Sequence, residues 1–227
     1  MKKIFLRVVI VILCGMPVAH GQNTDLLQSA NAGDPAAQVK LGNLYALGQG
    51  VARNSQEAVK WFKKAAEQGY PDGQYRFGGM YEVGFGVPAD PAIAAKWYQL
   101  AAKQESLDAQ YRLGIMYEQG RGVSKDDAQA AKWYQMAASR GRSQAQFKLG
   151  EMYETGRGLP QSYKDAWKWY LQAAQQNRPE AQFKLGKLYE QGLGVAQSTS
   201  EAIKWYQQAI AGGDAEAEES LRALENN

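Results

Sequence analysis

The chain has 227 residues, with 26 Lys and Arg against 23 Asp and Glu and a formal charge of +3, and it holds one cysteine and one histidine. So small a charge excludes attraction to nucleic acid through a strongly basic surface. A lone cysteine excludes a disulfide within the chain.

Residues 1–21 read as a secretory signal peptide. Lys2, Lys3 and Arg7 form the positive start, residues 8–14 the apolar run, and Ala19 and Gly21 a small-x-small cleavage site. The run is shorter than the roughly 20 residues that a permanent span needs. Leu13 stands where lipoprotein signals carry a small residue, which argues against lipidation of Cys14. Cleavage would remove three basic residues and no acidic ones, leaving 23 against 23, and would also remove Cys14 and His20. A mature chain of that kind has no thiolate nucleophile, no imidazole base and no soft zinc site. The expected location is periplasmic or secreted, with no transmembrane segment in the mature chain.

From residue 37 onward the chain repeats itself. Trp61, Trp97, Trp133, Trp169 and Trp205 fall 36 residues apart without a slip. A fixed period of this size marks a solenoid, in which each unit contacts only its neighbours. Five units span 37–72, 73–108, 109–144, 145–180 and 181–216, between an N-terminal cap over 22–36 and a C-terminal cap over 217–227. Within the first unit, helix A is expected over 36–47 and helix B over 55–68. Leu41, Leu44 and Tyr45 with Ala37 make the apolar stripe of one, and Ala58, Trp61, Phe62, Ala65 and Ala66 that of the other.

Between the helices stand Gly48 and Gly50, then Gly84 and Gly86, Gly120 and Gly122, Gly156 and Gly158, Gly192 and Gly194. The first of each pair sits where a helix end favours positive φ. Asn54, Asp90, Asp126, Ser162 and Ser198 are placed as N-caps of helix B. Glu57, Gln129 and Glu201, three residues on, are placed to complete capping boxes. Gly42, Gly78, Gly114, Gly150 and Gly186 lie inside helix A at a cost of about 1 kcal/mol each, which implies close helix approach beneath an aromatic ring. Tyr45, Tyr81, Tyr117, Tyr153 and Tyr189, with the tryptophans of helix B, are expected to form the core seam. At the C-terminal end, Arg222 replaces the packing glycine and Glu225 the tyrosine, as suits a cap.

The pattern A-x-x-x-L-G-x-x-Y-x-x-G-x-G-V followed by A-x-K-W-Y-x-x-A-A resembles the Sel1-like repeat, a relative of the tetratricopeptide repeat, over residues 25–224. The resemblance implies an all-α, right-handed α/α superhelix whose concave groove binds a protein or peptide. It also associates secreted members with envelope assembly or host contact. Some cysteine-rich relatives are described as penicillin-binding or weak β-lactamases; this chain lacks their paired cysteines. Phe77 for leucine, Asn177 for the glycine closing helix B, and Ile210 for alanine depart from the pattern.

Two readings stand for the row Lys40, Arg76, Arg112, Lys148 and Lys184. It is a cationic ladder for an acidic partner, or it serves local pairs of Asp72 with Arg76, Asp108 with Arg112 and Glu180 with Lys184. Lys60, Lys96, Lys132, Lys168 and Lys204 read as solvated heads on stems that cover apolar surface. Gln38, Gln74, Gln110, Gln146 and Gln182 are expected to hydrogen-bond a neighbouring loop backbone. Tyr163, Trp167 and Tyr170 either anchor a partner or, for Trp167, fill a gap beside Gln161 and Ser162. Phe85, at a loop tip, is a lesser candidate. No catalytic constellation, metal site or cofactor motif is expected, since no G-K-[ST] follows the paired glycines.

Overall fold

The computed structural model describes residues 20–225; residues 1–19, which hold nearly all of the expected signal peptide, lie outside the described residues. Among the described residues there are twelve helices and no strand. α1 (His20–Asn31) precedes five helix pairs: α2 (Pro35–Leu47) with α3 (Ser55–Glu67), and α4 (Pro71–Val83) with α5 (Pro91–Lys103). α6 (Leu107–Gln119) then pairs with α7 (Asp127–Ser139), α8 (Ser143–Thr155) with α9 (Tyr163–Ala174), and α10 (Pro179–Gln191) with α11 (Thr199–Ala211). α12 (Ala215–Glu225) closes the array. Each helix packs chiefly on its neighbours in sequence, which makes an α/α solenoid.

Local chemistry sets the helix ends. Gly48, Gly84, Gly120, Gly156 and Gly192 close helix A in the left-handed conformation. The side chains of Asn54, Asp90, Asp126, Ser162 and Ser198 accept from the first-turn amides of helix B. The capping boxes do not form. Each N-cap amide instead donates to the carbonyl of a helix A tyrosine, as Asn54 does to Tyr45 at 2.9 Å and Asp126 to Tyr117 at 3.0 Å. Glu57 and Glu201 turn outward to Lys60 and Lys204, at 2.5 and 2.6 Å. The second glycine of the later loops, Gly86, Gly122, Gly158 and Gly194, has a tertiary role. A Cβ on Gly86 would stand 2.5 Å from the Ser55 carbonyl oxygen, so this loop rests on the start of the previous unit's helix B.

The core seam differs from the one expected. Tyr98, Tyr134, Tyr170 and Tyr206, with Phe62, are the fully buried aromatic side chains among the described residues, whereas Trp97, Trp133, Trp169 and Trp205 are half-buried; Trp61 alone of the five tryptophans is buried. The helix A tyrosines, from Tyr45 to Tyr189, are half-buried as well. Each buried ring lies on the helix A glycine of its own unit: a Cβ on Gly42 would stand 2.6 Å from Phe62, and one on Gly150 2.5 Å from Tyr170. The glycines therefore do mark close approach beneath a ring, and the ring is the residue after tryptophan. Buried alanines line the facing side of every helix B, among them Ala130, Ala137 and Ala138 in α7.

The glutamine row bonds backbone as expected, but to helix rather than loop. Gln38, Gln74, Gln110, Gln146 and Gln182 donate to the carbonyls of Ala30, Ala66, Ala102, Ala138 and Ala174 at 3.1 to 3.4 Å. These are last-turn carbonyls, which have no partner within their own helix.

Candidate partner-binding site

The helix A face carries the clefts. One of about 570 Å³ and one of about 530 Å³ lie between α10 and α12 and share Phe183, Lys184 and Glu216. A third, of about 270 Å³, lies against α2 and α4. Helix A side chains supply most of each lining.

Sequence reasoning missed two rows on that face. Tyr75, Tyr111, Phe147 and Phe183 are half-buried, with ring centroids 5.5 to 5.8 Å from Tyr98, Tyr134, Tyr170 and Tyr206. Their signal was an aromatic at the same phase in four units, where the first has Val39. The second row is Glu82, Glu118, Glu154 and Glu190. The hydroxyls of Tyr98, Tyr134 and Tyr170 donate to the first three at 2.6, 2.7 and 2.5 Å, and that of Tyr206 donates to Glu190. The first unit breaks both partners at once: Ala46 stands in the glutamate's place and Phe62 in the tyrosine's. That paired loss was the legible sign of the bond.

These carboxylates decide the basic row. Arg112 reaches back to Glu82 at 3.7 Å and Lys184 to Glu154 at 3.1 Å, while Lys148 stands 4.0 Å from Glu118 and pairs more closely, at 3.0 Å, with Glu151 of its own helix. Arg121 and Arg157, from the loops, join Glu82 and Glu118. Of the three local pairs expected, only that of Arg76 with Asp72 forms, at 3.1 Å. Asp108 is taken by Arg142, and Glu180 by Arg178 at 3.4 Å. The reason is burial: the Glu82 side chain is 6% exposed, and a carboxylate drawn from water needs a cation beside it. Lys40 is exposed and forms no ion pair among the described residues.

Ionisation follows the same geometry. Burial first, then the hydrogen bond and charge of the partner glutamate, push the hydroxyls of Tyr98, Tyr134, Tyr170 and Tyr206 far above their ordinary range. Burial alone would raise the Glu118 carboxyl. The bonds from Tyr134 and Arg157, with the charge of Lys148, outweigh it and hold the pKa below its ordinary value.

The aromatic cluster proposed on α9 does not come together as a surface. Tyr170 is fully buried against Gly150 with its hydroxyl on Glu154, which corrects its placement as a partner contact. Its phase on α9, one residue past Trp169, puts it in the core. Trp167 is half-buried and meets Tyr189 of the next unit edge-on at 6.4 Å. Tyr163 is half-buried at the start of α9, beside the Gln161 amide at 3.3 Å. Phe85 folds back beneath the Arg53 guanidinium, 5.2 Å from its ring. Among the described residues, no three His, Cys, Asp or Glu side chains form a metal-binding group, and no helix is long and apolar enough to cross a membrane.

The Sel1 repeat profile matches residues 35–70, 71–106, 107–141, 143–177 and 179–214. No curated protein matches the chain. Among solved structures, the chain is similar to c5321, a protective antigen of uropathogenic Escherichia coli strains displaying an SLR fold. The identity is 37% and the TM-score 0.87, over 88% of this chain. The chain spans only 43% of that antigen's length. A Sel1 repeat protein from Oxalobacter formigenes is 32% identical with a TM-score of 0.84, over 90% of this chain and 84% of its own. The immunity protein Pa5087 from Pseudomonas aeruginosa, 22% identical over 84% of this chain and 73% of its own with a TM-score of 0.53, shares the fold. Repeats of this kind generally serve as protein–protein interaction scaffolds. With five matched repeats over most of its length, this chain belongs to the Sel1 repeat family.

Proposed function

We propose that the chain is an exported, non-enzymatic scaffold that binds a partner polypeptide along its helix A groove. The observation that carries the reading is the paired row of half-buried aromatics and basic side chains on one face, Tyr75 with Arg76 through Phe183 with Lys184. Aromatic rings give large contact area at small entropic cost, and neighbouring cations select polar or acidic ligands. Export rests on the N-terminal sequence: a basic start, a short apolar run and small residues at 19 and 21. Work in the cell envelope or at a host surface fits that location.

The test uses a photoreactive amino acid at Gln119 or Thr155, both exposed on the groove side, and at Lys132, exposed on helix B. Irradiation of the exported protein should link one partner polypeptide at the two groove positions and none at Lys132. Labelling at Lys132 alone would overturn the groove assignment. The chain recovered outside the cytoplasm should begin at residue 22; recovery of the chain only in the cytoplasm, with its N-terminus retained, would overturn the export reading.

A further inference from the structure

The first two units differ from the rest of the groove in four coupled ways. Ala46 and Phe62 replace the glutamate–tyrosine pair of every later unit. Among the described residues Arg76 therefore lacks the cross-unit carboxylate that Arg112, Lys148 and Lys184 each find, and pairs only with Asp72 on its own helix. Gly79 stands where the other units carry Asn43, Ile115, Glu151 and Lys187. A Cβ there would meet only the Tyr98 hydroxyl, at an ordinary 3.5 Å, so packing does not demand glycine at this position. Its missing side chain helps to open the 270 Å³ cavity over Phe62. Leu47 and Val83, on the rim, are 63% and 70% exposed, while their later equivalents are Gln119, Thr155 and Gln191.

An apolar hollow beside a cation that has no carboxylate from the preceding unit has a complement of definite chemistry. We propose that this end of the groove binds an extended polypeptide segment in which a large apolar side chain neighbours an aspartate or glutamate. The apolar side chain enters the cavity over Phe62 and Gly79, between Leu47 and Val83. The ligand carboxylate meets Arg76 and supplies from outside the charge that Glu82, Glu118 and Glu154 supply within the later units. This rests on the groove reading above and narrows it to one subsite and one ligand pattern.

The experiment pans a phage-displayed random heptapeptide library on the wild-type protein. Selected sequences are then synthesised with amidated C-termini, so that only side-chain carboxylates are offered. Two variants are compared: Ala46→Glu with Phe62→Tyr, which gives the first unit the pair found in the others, and Leu47→Gln with Val83→Gln, which places later-unit chemistry on the rim. Selected peptides should share Leu, Ile, Met or Phe beside Asp or Glu. Changing that acid to its amide should weaken binding about tenfold or more. The Ala46→Glu, Phe62→Tyr protein should melt no lower than wild type and lose affinity to a similar degree. Selection without that pattern, or equal affinity for this folded variant, would overturn the proposal. So would saturable binding of dodecanoate with no peptide selected, which would make the ligand an amphiphilic acid. If photolabelling at Gln119 and Thr155 succeeds while the grafted pair changes nothing, the groove reading stands and this subsite falls.

Discussion

Tyr134 and Glu118, sixteen residues apart, are joined by a hydrogen bond of 2.7 Å that ties helix B to helix A within the third unit. Glu118 is also held by Lys148 and Arg157 of the fourth unit, so one carboxylate fastens two adjacent repeats. In a solenoid the interface between neighbours supplies much of the stability.

Substitutions at this pair should rank clearly. Tyr134→Ala removes a fully buried ring lying on Gly114 and should cost about 3–5 kcal/mol. Tyr134→Phe keeps the ring and loses a bond to a charged acceptor, at about 1.5–3 kcal/mol. Trp133→Ala, at a half-buried ring, should cost about 2 kcal/mol, less than its neighbour. Urea melts of the three variants check the order. Trp133→Ala proving the costliest would contradict the assigned seam.

Acid should loosen the array through the same carboxylate. The folded pKa of Glu118 lies below its ordinary value, so the unfolded chain takes up the proton first. The stability it contributes is complete above the ordinary glutamate pKa of about 4.3, and is lost as pH falls from there through the depressed folded value. Glu118→Gln should lower stability at neutral pH and flatten its decline in that acid window. Melting temperatures taken across the window provide the measurement.

At alkaline pH the sign reverses. Tyr98, Tyr134, Tyr170 and Tyr206 have folded pKa values raised far above ordinary, so the folded state keeps protons that the unfolded chain releases. Their stabilisation is complete below the ordinary tyrosine pKa of about 10 and is lost as pH climbs above it. In a spectrophotometric titration, these four of the thirteen tyrosines should remain protonated until helicity is lost. Full phenolate absorbance in a chain whose helicity is intact would contradict their burial.

Arg140 marks a place where the repeat is imperfect. Gln68, Gln104 and Gln176 donate to the Oε1 atoms of Gln38, Gln74 and Gln146 at 2.7 to 2.9 Å. Arg140 occupies the same phase in the third unit and turns to Glu105, leaving the Gln110 Oε1 buried without a partner. Arg140→Gln should restore the bond and stabilise the fold by about 0.5–1.5 kcal/mol, readable as a shift in the urea midpoint.

The helix pairs, their caps and the closing glycines were determined by the sequence alone, because each depends on residues within a few positions of one another. Even the glycines inside helix A signalled a ring above them. Which ring was a tertiary decision. Trp133 and Tyr134 sit about 100° apart on one helix, Trp133 at the edge of the apolar stripe and Tyr134 within it. Only the rotation of α7 against α6 puts Tyr134 on Gly114 and leaves Trp133 half-exposed. The basic row has the same history. Asp108 and Arg112 are correctly spaced for a local pair, yet Arg112 turns to Glu82 because that carboxylate is nearly buried and water does not neutralise it. Such a preference depends on how far one repeat is desolvated by the next, and that is settled when the units stack.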